Sequence, residues 1–108
     1  MKVYWTPGAR RRLLEIESYI AAKGLPEVAR NVAVGLIRKT LMLEQPPLLG
    51  SRLSQYPHAD VRQLLERPFR VIYRVSTTRI EILTVLHYRQ LLPSDLRNID
   101  AADDGKPG

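Results

Sequence analysis

Residues Val61–Pro93 read VRQLLERPFRVIYRVSTTRIEILTVLHYRQLLP, and this stretch decides the fold. Between positions 69 and 75, Phe69, Val71, Tyr73 and Val75 point one way, and Arg70, Ile72 and Arg74 point the other. A period of two marks a strand with one face toward a core. Arg67-Pro68 and Ser76-Thr77-Thr78-Arg79 are short connections of turn-forming composition. Together they predict three antiparallel strands, at about 61–65, 69–75 and 80–87, joined as hairpins. The non-aromatic face of the middle strand carries two arginines, and the last strand runs into His87-Tyr88-Arg89. A cationic sheet surface of this kind suits an anionic partner.

Upstream the period changes. Val3-Tyr4-Trp5 has strand composition, then Thr6-Pro7 offers an N-cap and a proline at the first helical position, where a missing N–H is harmless. Leu13, Ile16 and Ile20 follow at helical spacing, and Gly24 supplies a stop after about Lys23. Pro26 opens a second helix with the stripe Ala29, Val32, Ala33, Leu36 and Ile37, which Gln45-Pro46-Pro47 ends. Residues 46–60 read as a loop long enough to be functional. Beyond Pro93 a weak helical turn at Ser94–Ile99 leads into a small, acidic tail of disordered composition. One domain over 1–93 and a tail over 94–108 are expected. Two helices with one apolar stripe each cover one face of a small sheet. The predicted class is therefore α+β, in two layers, with a helical hairpin on one face of a mostly antiparallel sheet. Arg70 and Arg74 then lie on or near the open face, and His87 is a candidate to join them.

The charge is uneven. Residues 1–93 hold 15 Lys/Arg against 7 Asp/Glu, a net of +8, whereas 94–108 hold 2 against 4, a net of −2. A basic body implies an acidic partner, either nucleic acid or an acidic protein segment. The chain has no cysteine, which excludes disulfides and thiolate metal sites. No apolar run approaches the 18 or so residues of a membrane span, and no signal-like leader opens the chain. A cytoplasmic setting is expected, with no membrane partner, metal or cofactor.

The opening VYWTPGARRRLLEIESYI (3–20), the strand RPFRVIYRV (67–75) and the ending EILTVLHYRQLLP (81–93) together resemble the RelE/ParE superfamily, toxins of bacterial type II toxin–antitoxin modules. The first string is similar to the family's aromatic-Thr-Pro entry and Leu-x-x-Ile-x-x-Tyr-Ile helix. The others are similar to its Pro-aromatic-Arg-Val-Ile-Tyr strand and its closing His-x-Arg. The resemblance covers roughly residues 3–93 and implies a growth-inhibiting, plasmid-stabilising type of chain held in check by a cognate antitoxin, as a hetero-oligomer.

Two activities are known in that superfamily. ParE-type members inhibit DNA gyrase without established chemistry of their own, and RelE-type members cut messenger RNA on the ribosome. For the nuclease, the resemblance offers Arg70 for phosphate and His87 or Tyr88 as acid. However, 46–60 has no glutamate to serve as base, only His58 and Asp60, and the strand region has no lysine. The LHYRQLLP ending and the long helical hairpin are nearer the ParE branch. That branch implies no catalytic residue, with Arg62, Arg70, Arg74, His87 and Arg89 as target-binding candidates. A third possibility is a basic nucleic-acid-binding module, which is weakened because Phe69 and Tyr73 share the core face instead of standing among the cations for base stacking. Plainer roles compete at each position. The strand arginines suit a solvated face, His87 a strand-end hydrogen bond, Tyr88 a core rim, and Arg10-Arg11-Arg12 an exposed helix turn.

Overall fold

The computed structural model describes residues 1–45 and 49–95. The elements run β1 (Lys2–Trp5), α1 (Pro7–Ala22), α2 (Pro26–Leu41), a single 3-10 turn (Met42–Glu44), β2 (Ser51–Arg52), β3 (Val61–Glu66), β4 (Phe69–Val75) and β5 (Arg79–His87). The helical hairpin and the three-stranded meander follow the sequence pattern. Thr6 caps α1 by accepting the Ala9 N–H at 3.1 Å, with Pro7 first in the helix. Gly24 takes a φ of 81°, a conformation open to glycine but costly for residues with a Cβ, and so separates the two helices. The Arg67-Pro68 bond in the β3–β4 turn is cis.

The strands form one sheet in the order β1-β5-β4-β3-β2. β1 runs parallel to β5, from Lys2↔Arg79 to Trp5↔Ile82, and the remaining pairings are antiparallel. The outer side of β1 is closed by the end of the hairpin. The Val3 N–H donates to Glu44 Oε2 at 3.3 Å, the Met1 ammonium to the Glu44 carbonyl at 3.3 Å, and Trp5 Nε1 to Thr40 Oγ1 at 3.2 Å. At the opposite end β2, a two-residue strand inside the expected loop, covers only Arg62 and Gln63 of β3.

The main core lies between helices and sheet, where Leu13, Ile16 and Leu36 meet Leu64, Val71, Tyr73, Ile82 and Val85. The opposite face departs from the expectation of an open surface. Tyr56, Val61, Ile72 and Leu83 form a second cluster there, flanked by Leu53, Ala59, Leu86 and Leu92. The physical reason is plain in the residues: Ile72, Leu83 and Leu86 are apolar, and the segment after β2 together with Leu92 removes them from water.

One irregularity decides which way the end of β5 faces. The β4–β5 register shifts between Ile72, opposite Thr84, and Tyr73, opposite Ile82. The extra residue in β5 is a β-bulge that resets the alternation. Ile80 and Ile82 face the helices, Leu83 faces away, and Val85 faces the helices again. The weak turn at Ser94–Ile99 and the acidic tail lie outside the described residues beyond Asp95. Among the described residues no helix is long and apolar enough to cross a membrane.

Candidate functional site

The bulge sends His87 to the helical side. It stands opposite Phe69, with the two rings edge to face, 6.2 Å apart and at 82°. With Arg12, Glu15, Ile16, Tyr19 and Phe69 it lines a groove of about 570 Å³ between α1 and the sheet end. The groove continues past Pro68 to Val28 and Gly35 on α2 as a further space of about 290 Å³.

Arg70 lies on the other face. Its register partner Leu86 belongs to the second cluster, and its guanidinium donates to Gln63 Oε1 at 2.9 Å and to the Gln90 carbonyl at 2.6 Å. Its Nε is buried and finds no acceptor among the described residues. Arg74 shares that face and pairs with Glu81 at 2.8 Å, a carboxylate that also takes Arg79 at 3.0 Å. Burial alone would raise the Glu81 pKa, but the hydrogen bonds and charges of Arg74 and Arg79 outweigh it and hold the carboxyl below its ordinary value. Arg62 stands opposite Tyr73 on the helical side, bonded to Asp60 at 2.9 Å and to the Gly50 carbonyl at 3.0 Å. Burial pushes the Tyr73 phenol up, against the opposing pull of the Gly50 N–H and Arg62.

The five target-binding candidates therefore form no single cationic patch. Arg70 and Arg74 occupy one face and Arg62 and His87 the other, while Arg89 lies on the turn beyond β5. Asp60 and Glu81 neutralise two of the arginines. The nuclease set is divided in the same way. General acid–base chemistry at a phosphate needs the proton donor and the stabilising cation within a few Å of one reacting group. Here Arg70 and His87 point to opposite sides of the sheet. Tyr88 is exposed beyond the sheet, its ring 5.0 Å from that of His87 and its hydroxyl accepting from Arg89 Nε at 3.0 Å. Among the described residues no group of three His, Cys, Asp or Glu is placed to hold a metal.

Two organising residues escaped the sequence reading. Arg12 turns inward from the basic triplet, donating from Nε to the Val85 carbonyl at 3.0 Å and from Nη2 to Gln90 Oε1 at 2.9 Å. Its place four residues before the buried Ile16, beside the apolar stripe, is the signal that separates it from Arg10. Gln90 receives Arg12 and Arg70 together, and nothing in its local sequence marks it.

The sequence and the overall fold have counterparts among known proteins. Residues 3–92 match the family described as "ParE toxin of type II toxin-antitoxin system, parDE". "Putative toxin Y4kP" of Sinorhizobium fredii (strain NBRC 101917 / NGR234) is 34% identical over 95 residues, covering 88% of this chain and 96% of that protein. A solved structure described as "Chromosomal ParDE TA system from P. aeruginosa" aligns with a TM-score of 0.70 at 30% identity, covering 81% of this chain and 95% of that chain. By sequence over nearly its whole described length, and by fold, the chain belongs to the ParE toxin family of type II toxin–antitoxin systems.

Proposed function

We propose that this toxin inhibits DNA gyrase by binding, without catalysis of its own, and that a cognate antitoxin protein neutralises it in a hetero-oligomer in the bacterial cytoplasm. Family membership supports the class, and the ParDE system to which the chain is similar supports an antitoxin partner. One observation favours gyrase binding over ribosome-dependent messenger RNA cleavage: Arg70 and His87, the cation and the acid a nuclease would need together, stand on opposite faces of the sheet. Arg70 is moreover occupied by Gln63 and the Gln90 carbonyl. The net of +8 over residues 1–93 suits an acidic antitoxin segment, which that field would steer into register.

The test compares the purified toxin in gyrase–DNA cleavage assays and in ribosome-bound messenger RNA cleavage. Trapped gyrase–DNA complexes and intact message are expected. His87→Ala should weaken the effect without abolishing it, because most single interface side chains contribute about 1 kcal/mol or less, roughly fivefold in affinity, whereas losing a catalytic acid costs about 10²–10⁴-fold in rate. Codon-positioned cuts that vanish with His87→Ala, while gyrase is unaffected, would overturn the proposal in favour of the nuclease.

A further inference from the structure

Gln90 ties the helical layer to both faces of the sheet. Its side-chain Oε1 accepts from Arg12 Nη2 at 2.9 Å and from the His87 N–H at 2.8 Å. Its own N–H donates to the His87 carbonyl at 2.9 Å, and its carbonyl accepts Arg70 at 2.6 Å. Arg12 comes from α1 and Arg70 from the far face of β4, so one residue joins all three. Both partners of the side-chain amide are donors, which forces the oxygen toward them. Downstream, Leu92 packs into the second cluster and the Pro93 carbonyl accepts from the Tyr56 hydroxyl. The Tyr88 N–H is held by the Pro68 carbonyl at 2.8 Å. Between these anchors Leu91 is 92% exposed, with Tyr88 and Arg89 exposed beside it and the Arg89 guanidinium 5.4 Å from the Tyr88 ring centre.

A lone exposed leucine carries no message. This one stands on a turn fixed from both sides, next to an aromatic ring and a cation, and such fixing removes entropy that a partner would otherwise have to overcome. We propose that Gln90 is a positioning residue, holding the turn so that Tyr88, Arg89 and Leu91 form a protein contact for an apolar pocket rimmed by carboxylates. The proposal rests on the reading of this chain as a toxin that acts by binding. Leu91 favours protein over nucleic acid, because an aliphatic side chain offers a base neither a ring to stack on nor a hydrogen bond. Arg89 supplies the charge that a carboxylate rim would meet.

The experiment expresses the full chain at matched levels without its antitoxin, as wild type, Gln90→Glu, Gln90→Ala and Leu91→Ser. Growth inhibition, thermal melting and hydrogen exchange of the 88–92 amides are read for each. Gln90→Glu keeps the acceptor and should match wild type. Gln90→Ala should lose about tenfold in potency, with faster exchange at 88–92 and little change in melting. Leu91→Ser should lose potency with melting and exchange unchanged. The proposal is overturned if Gln90→Ala stays fully potent, if Gln90→Glu is as defective as Gln90→Ala, or if potency falls only in step with melting. It is overturned equally if Leu91→Ser is fully active. Should wild type leave gyrase untouched while the Gln90 and Leu91 series still tracks growth inhibition, the gyrase assignment falls and the contact surface stands with another protein target.

Discussion

Replacing Gly50 with alanine should damage this fold more than its place beside a loop suggests. Gly50 is buried, and its N–H donates to the Tyr73 hydroxyl at 2.8 Å, a ring that is itself fully buried in the core. A Cβ at position 50 would collide with the Gln63 carbonyl oxygen and stand 2.7 Å from Tyr73 Oη and 2.9 Å from Tyr73 Cε1. The first obstacle is backbone in the middle of β3 and the second a ring packed on all sides, so neither yields cheaply. Overpacking of this kind costs about 1–3 kcal/mol. Displacing the tyrosine from the Gly50 N–H adds about 1–3 kcal/mol for polar groups separated in the interior. The sum, about 2–6 kcal/mol, is a large share of the roughly 5–15 kcal/mol that stabilises a domain. At about 4–8 °C per kcal/mol for a chain of this size, melting should fall by about 10 °C or more. Thermal and urea unfolding followed by circular dichroism would measure it, with Tyr73→Phe and the double variant completing a cycle. Tyr73→Phe should cost about 1–3 kcal/mol and the double variant less than the sum, because removing the hydroxyl relieves one of the contacts. A Gly50→Ala protein that melts within a degree or two of wild type would refute the reasoning, for it would mean that β2 and β3 separate at no cost.

Three further outcomes are expected from the packing and the charges. Leu36→Ala, at a position with no exposure, should lose about 2–5 kcal/mol in urea unfolding, while Leu14→Ala, 60% exposed on α1, should stay within about 0.5 kcal/mol. Because the Glu81 carboxyl titrates below its ordinary value in the fold, its contribution is complete above the unfolded pKa and is lost as pH falls through the folded one. Glu81→Gln should therefore flatten the acid limb of stability against pH, and an unchanged limb would dissociate Glu81 from acid unfolding. In growth assays at matched expression, Arg70→Ala or Arg74→Ala should reduce toxicity more than Arg79→Ala, whose guanidinium lies 4.2 Å from the Tyr4 ring centre at the start of β5. Equal toxicity of the three would leave the far-face arginines without a part in inhibition.

The elements were legible where the signal is local. The i, i+3, i+7 stripe of α1, the prolines at both helix starts, Gly24 and the alternation of β4 each reflect one residue's neighbours, and they placed the hairpin and the meander to within a residue or two. The faces were less legible, because they depend on register. Strict alternation from Ile80 would carry His87 to the side of Glu81 and Leu83, toward Arg70, and the bulge in β5 reverses that. Nothing in the residues Ile82-Leu83-Thr84-Val85 announces an insertion, since all four are good strand formers. The parallel pairing of β1 and the existence of the brief β2 were hidden for a related reason: their partners lie 77 and 10 or more positions away. The carboxylates that tie Arg62 and Arg74, Asp60 and Glu81, are set by pairing across strands or at strand ends, so the cationic surface read from the sequence is in part a set of ion pairs.

Glu44, which closes the outer side of β1, gives the sheet a polarity of growth. An unpaired strand edge templates the addition of another chain, whether a functional partner or an aggregate. At the β1 end the Val3 N–H already holds a carboxylate and the Met1 ammonium a carbonyl, so an incoming strand would first have to displace both. At the other end two residues of β2 shield β3 only as far as Gln63, and among the described residues no strand lies against Leu64–Glu66. A population of this protein without its partner would then extend its sheets from the β3 side alone. With only one edge free, such pairing joins two molecules through their β3 strands and stops there, and a charge or proline placed at Leu65 would suppress it where the same change at β1 would accomplish little.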